Sequence, residues 1–164
     1  MFNLTPVTAQ FATKIQQIID SKTKPLGALG QLETIANRLV TIYSDKAGHL
    51  LTNAEIKAPS LIVFAGDHGI AQYGVSIAPS DVTRQVVLNF ISGGAAINVF
   101  TRLHGWHLDV VDTGIIEPIE NDSESQESKV KACRLDAGTK AFHLEAAMSK
   151  EQVLAGFEFA KALV

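Results

Sequence analysis

The stretch "AGDHGI" sets a carboxylate and an imidazole, Asp67 and His68, between two glycines, Gly66 and Gly69. It directly follows the apolar run "SLIVFA". In open α/β sheets ligands bind outside the carboxyl ends of the strands, so polar groups at such an end are candidates for ligand contact. The two glycines give backbone room to approach a ligand or to take a positive φ. Asp67 suits orienting His68, or accepting hydrogen bonds from loop amides. Ligand positioning is expected of this pair ahead of catalysis by His68 itself. The plainer reading is that both residues only tie their loop together.

A second stretch, "GVSIAPSDVTRQ", offers Ser76 and Gln85 as hydrogen-bonding groups among the apolar Val75, Ile77, Ala78 and Val86. That mixture suits a flat, mostly apolar heterocycle with a few polar edges. On composition alone an ordinary loop-to-helix junction, with Ser76 capping a turn and Gln85 solvated, is the simpler account. "SGGAAIN" has glycines before a helix, an arrangement that can expose N–H groups to a phosphate. It has neither the Lys-Ser/Thr pair of a Walker loop nor the dinucleotide fingerprint, and close packing of small residues is preferred. His104 and His107 in "HGWH" are separated by Gly105, which breaks a helix, and have no third ligand nearby. A structural role is expected of them, and no metal site. Cys133 has no CxxC partner, and no Ser-His-Asp arrangement is supported by these spacings.

The elements that must position these groups belong to a chain of 164 residues, 46% hydrophobic and 19% charged, with a formal net charge of −3. Such a composition fits a globular protein with a real core. The mild acidity gives no reason to expect nucleic acid or an anionic membrane as partner. A single cysteine fits a reducing, cytoplasmic setting. The start "MFNLTPVTAQF" lacks the pattern of a signal peptide, and no run is expected to span a membrane.

Helical spacing of Phe11, Ile15, Ile18 and Ile19 predicts a first helix, with Thr5 or Thr8 as cap. Leu32, Ile35, Leu39 and Ile42 form the stripe of a second. "SLIVFAG", residues 60–66, reads as a strand buried on both faces. "PSDVTRQVVLNFIS" predicts a helix capped by Ser80 or Asp81, and "GGAAINVFTRLHG" another that stops at Gly105. "WHLDVVDTGI", residues 106–115, is the second strand, again ending in Asp and Gly. A helical crossover between two apolar strands predicts parallel pairing in an α/β sheet. "EPIENDSESQESK" predicts an exposed acidic loop over 117–129. A third strand is expected within "VKACRLDAGTKAF", and a final helix capped by Ser149. Two or three strands make a thin α/β sheet, so the sequence reads as the front part of a larger fold.

The segments "TKPLGALGQLE", "AGDHGI", "GVSIAPSDVTRQVVLNFISGGAAINV", "VVDTGI" and "AGTKAF…AAMSKEQ" occur together and in order. Jointly they resemble the N-terminal half of the nicotinate-nucleotide–dimethylbenzimidazole phosphoribosyltransferase family. The resemblance runs from about Thr23 to the end. It implies an α/β enzyme with a Rossmann-like parallel sheet, incomplete here, preceded by N-terminal helices of a smaller helical domain. Residues 1–55 would belong to that small domain and 56–164 to the first part of the sheet domain. It also implies a homodimer that needs no cofactor or metal. The reaction would move phosphoribosyl from nicotinate mononucleotide to 5,6-dimethylbenzimidazole, giving α-ribazole 5′-phosphate and nicotinate.

Carried across by motif, Ser76 and Gln85 would line the benzimidazole site, with Ile77 and Val86 as apolar walls. Asp67 and His68 would shape its floor. Leu26 and Ala28 stand where the family more often has Pro and Ser, and Ile77-Ala78 replaces a commoner small-aromatic pair. A "GEMGIGNT"-like phosphate segment and a glycine-flanked glutamate base are absent. The expectation is therefore that this chain alone is inactive, the alternative being a non-catalytic homologue that binds a benzimidazole-like ring or a nucleotide.

Overall fold

The computed structural model describes residues 5–119 and 130–163. They fall into two compact units, within Met1–Lys57 and Ala58–Val164.

The first unit is a helix pair, α1 (Ala12–Asp20) and α2 (Gln31–Ala47). Polar contacts join the two: Asn37 Nδ2 donates to the Ala12 carbonyl at 3.1 Å and to Gln16 Oε1 at 2.9 Å. Neither Thr5 nor Thr8 caps α1. Phe11 occupies the cap position with no side-chain bond, while the Thr8 hydroxyl lies 3.0 Å from the Asp45 carboxylate near the end of α2. The stripe Leu32, Ile35, Leu39 and Ile42 is exposed rather than buried, and the face of α2 that is covered carries Glu33, Thr41 and Ser44. Burial of Glu33 is offset by Lys24 Nζ at 2.9 Å and by the Leu29 amide at 3.0 Å.

The second unit is a three-stranded parallel sheet in the order β1 (Ser60–Gly66), β2 (His107–Gly114), β3 (Val130–Ala132). Between β1 and β2 run a short 3-10 turn (Gly69–Tyr73), α3 (Asp81–Ile91) and α4 (Ala96–His104). This is the crossover that parallel pairing requires. Position in the sheet decides burial. The central β2 is sealed on both faces, with the adjacent Val110 and Val111 both fully buried. β1 is an edge strand, and its Phe64 is 54% exposed, so the expectation of burial on both faces does not hold for it. Val87 and Ile91 of α3 close a core with Ala65, Val110, Ile115 and Val130.

The residues Asp81–His104 are apolar enough in composition for a membrane span. They form two helices of 11 and 9 residues, broken where Gly93 takes φ +78°. Each is about 17 Å long or less at 1.5 Å per residue, well short of a bilayer core of about 30 Å. The break is also what "SGGAAIN" is for. Asn98 accepts from the Ala95 amide at 3.1 Å and donates to the Phe90 carbonyl at 2.8 Å, linking the end of α3 to the start of α4. Gly105 ends α4 with φ +64°, the left-handed stop expected of it.

The last helix, α5 (Lys150–Leu163), opens with a reciprocal cap. The Gln152 amide reaches Ser149 Oγ at 3.2 Å, and the Ser149 amide reaches Gln152 Oε1 at 2.7 Å. From residue 120 onward the expected acidic loop lies outside the described residues.

Candidate functional site

Two strand tips meet side by side, and both end in an aspartate followed two residues later by glycine. The pairing β1–β2 runs in step to Ala65↔Asp112, then skips Thr113 and resumes at Gly66↔Gly114. Thr113 is the extra residue of a bulge, which re-aims the chain at a sheet's end. Its hydroxyl donates to the Ala65 carbonyl at 2.8 Å. Gly66 leaves the space for it, since a Cβ there would sit 2.8 Å from that hydroxyl oxygen.

Asp67 is 5% exposed and both its oxygens are engaged. Oδ1 accepts from the Thr83 hydroxyl of α3 at 2.6 Å, and Oδ2 accepts from the Ile116 amide at 2.8 Å. One carboxylate thus joins the tip of β1, the first turns of α3 and the loop after β2. Of the roles open from sequence, the structure shows acceptance of a loop amide, not orientation of His68. Asp112 does the equivalent work one strand over. Its Oδ1 takes the amides of Gly114 and Ile115, each at 2.8 Å, and its Oδ2 lies 3.6 Å from Arg134 Nη1. That guanidinium also donates to the carbonyls of Ile115 and Ile116.

The glycine after His68 serves a close approach, though to protein. Residues 139–141 pass so near Gly69 that a Cβ would lie 2.7 Å from the Thr139 carbonyl oxygen and 2.8 Å from the Ala141 nitrogen. Main-chain bonds lock this joint: the Gly69 amide to the Thr139 carbonyl at 3.0 Å, and the Thr139 amide to the Asp67 carbonyl at 2.9 Å. Neither Gly66 nor Gly69 has a positive φ, so space and not handedness is what they provide.

Above this frame lies a cleft of about 620 Å³. Its floor is the end of β1, and its sides are the loop through Val75 and Ser76 and the face of α3 carrying Val82, Val86 and Phe90. The lining is largely apolar and open on one side. Among the sequence-proposed residues, Asp67, His68, Ser76 and Val86 border it together. Gln85 does not. It lines a neighbouring cavity of about 240 Å³ with Arg84, Asp81 and Glu117, and that cavity shares Asp67 and Ser80 with the cleft. Ile77 borders neither: its side chain stands wholly in solvent. Ser76 Oγ is at present occupied with its own turn, donating to the Ala78 carbonyl at 2.9 Å.

Sequence reasoning missed Thr83, Thr139 and Phe142. Thr83 sits in the quoted "SDVTRQ" and Thr139 and Phe142 in "AGTKAF", but nothing in the spacing of either motif ties it to Asp67 or to the cleft. The remaining candidates have quiet roles. His107 pairs with Asp109 at 3.1 Å, and His104 packs against Trp106 at 5.8 Å between ring centroids. Cys133 is buried, and burial, with the nearby Asp112 charge, pushes its thiol up and away from thiolate chemistry. No cluster of three or more metal-ligating side chains occurs among the described residues.

A parallel sheet whose strand tips carry an apolar cleft with a few polar edges defines an α/β protein with a candidate small-molecule site at the carboxyl ends. Comparison with known proteins gives the class a name. Residues 4–164 match the phosphoribosyltransferase family, and the chain belongs to it. It is 50% identical over 165 residues to nicotinate-nucleotide–dimethylbenzimidazole phosphoribosyltransferase of Shewanella frigidimarina, and 54% identical over 168 residues to that of Pseudoalteromonas translucida. Both alignments cover 100% of this chain and 46% of the relative. The crystal structure of CobT from Thermus thermophilus superposes with a TM-score of 0.74 at 33% identity, covering 93% of this chain and 44% of that one. The chain therefore spans a little under half the length of the relatives it matches.

Proposed function

We propose that the cleft at the β1 tip holds the acceptor base of a phosphoribosyl transfer, from nicotinate mononucleotide to 5,6-dimethylbenzimidazole. The observation that carries the reading is the cleft itself: an apolar slot at a strand end, in a chain of this family, with Ser76 and His68 at its rim. The reaction makes three demands. A benzimidazole ring nitrogen attacks the anomeric carbon of the ribose from the face opposite nicotinate. The ring loses a proton to a base, and the pyridinium departs with its nitrogen neutralised by the electron pair of the broken bond. Holding both rings in line removes the entropic part of the barrier.

The residues around the cleft support a positioning role. Val86 and its neighbours on α3 supply an apolar wall, Ser76 and His68 polar edges, and Gln85 a donor and acceptor just beyond Asp67 toward the second cavity. Ile77, facing solvent, has no part in this arrangement. Asp67 is the only carboxylate bordering the cleft among the described residues, and both its oxygens are spent on Thr83 and Ile116. No free carboxylate therefore borders the cleft among the described residues to take the proton, which supports a chain that by itself binds the ring without turning it over. The same observation favours a second reading, a homologue that binds a benzimidazole-like ring and does no chemistry. A homodimeric assembly completes the first reading.

Calorimetric titration with 5,6-dimethylbenzimidazole tests the site. Loss of one hydrogen bond in Ser76→Ala or Gln85→Ala weakens binding by about 2- to 12-fold. Unchanged affinity in both variants removes them from the site. Adding nicotinate mononucleotide separates the two readings when the residues of the longer relatives are supplied: α-ribazole 5′-phosphate then forms only under the first.

A further inference from the structure

We propose that Phe142 is a specificity-determining wall of this cleft, stacking on the flat face of a fused bicyclic base; this rests on the reading above that the cleft holds such a base. Among the described residues, every other one bordering the cleft lies between Val63 and Phe90, on β1, the 3-10 turn, the following loop and α3, and Phe142 alone comes from beyond β2. It reaches the cleft because residues 139–141 are fixed against Gly69 by the main-chain joint, and because the chain just after it is fixed too. His143 meets Tyr73 edge-on, with ring centroids 4.4 Å apart, and the Leu144 amide bonds to the Ala141 carbonyl at 2.9 Å.

The backbone is held on both sides of position 142, at an entropic cost, yet it presents a phenyl ring that is 67% exposed. Its apolar face becomes useful when a flat ligand covers it. Aromatic pairs gain beyond their buried area by offset stacking, and the gain grows with the overlap of the rings. A bicyclic ring offers more overlap than a monocyclic one. Phe142 therefore sets a preference for size and flatness, while Ser76 and His68 contact edges.

The test compares binding of 5,6-dimethylbenzimidazole and of imidazole to the whole chain and to Phe142→Ala, Phe142→Leu and Phe142→Tyr. The loss expected in Phe142→Ala is about 2- to 12-fold for the bicycle and much less for imidazole, so the ratio of the two affinities falls. Phe142→Tyr keeps the ring and restores the ratio; Phe142→Leu keeps bulk and does not. An unchanged ratio in Phe142→Ala, or full recovery with Leu, overturns the role of Phe142 while leaving the cleft as the base site. Failure of the unsubstituted chain to bind either compound overturns the reading of the cleft, and this inference with it. Matching far-UV circular dichroism of the variants guards against unfolding, which would weaken both compounds alike.

Discussion

Removing the Asp67 carboxylate is the sharpest probe of the frame under the cleft. In Asp67→Ala two donors lose their acceptor, the Thr83 hydroxyl and the Ile116 amide. The hydroxyl can turn to another acceptor, which limits its cost to about 0.5–1.5 kcal/mol, whereas a stranded amide costs about 1–3 kcal/mol. The expected loss is about 2–4 kcal/mol. Asp67→Asn should lose less, about 1–2 kcal/mol, because its oxygen can face Ile116 and its amide can donate to Thr83, so only the charge assistance disappears. Thr83→Val leaves the carboxylate in place with one oxygen unserved and should cost about 1–3 kcal/mol. Pairing Asp67→Asn with Thr83→Val measures their coupling, expected at about 0.5–3 kcal/mol for residues in contact. Trp106 is the chain's one tryptophan and sits just before β2, so its fluorescence in urea follows this unit. An Asp67→Ala variant within about 0.5 kcal/mol of the parent would mean that the carboxylate is not the brace described, since changes of that size are typical of surface sites.

Two further predictions concern the joint and the far end of the sheet. Gly69→Ala forces backbone apart at residues 139–141, should destabilise by about 1–3 kcal/mol, and should weaken ring binding by shifting Phe142; a melting temperature and affinity both unchanged would refute the close approach. Burial acts to raise the Asp109 pKa, but bonds from Lys131 and His107 outweigh it and hold the carboxyl below its ordinary value. A depressed folded pKa gives stability that is complete above the unfolded value and is lost as pH falls through the folded one. Lys131→Met should therefore lower stability at neutral pH by a few tenths to about 1 kcal/mol and flatten the acid limb, as urea midpoints across pH would reveal.

What could be read from the chain was its order of elements and which strand end carries the candidate cleft. Apolar runs with β-branched residues, each bounded by Pro or Gly, specify strands whatever surrounds them. The crossover length then dictates parallel pairing, and Asp-x-Gly or Asp-His-Gly at the strand ends marks the frame beneath the candidate cleft. The partners of those groups were not legible. Asp67 finds Thr83 and Ile116, 16 and 49 residues away, through folding and not through spacing. Periodicity also predicted that Leu32, Ile35, Leu39 and Ile42 would be covered; it reports which side of α2 is apolar, but not whether anything lies against it. Likewise an apolar run does not reveal whether its strand will be central, like β2, or at an edge, like β1. Ser76 and Ile77 are adjacent in sequence yet face opposite fates, one at the cleft and one in water, because the loop's turn separates them.

The weld between Gly69 and residues 139–141 is built from main-chain atoms on both sides. Its geometry asks for no particular side chain at the position that follows. On the proposed role of Phe142, a substitution at 142 would retune which bases are accepted without loosening the scaffold beneath, so that selectivity could drift on a foundation indifferent to it.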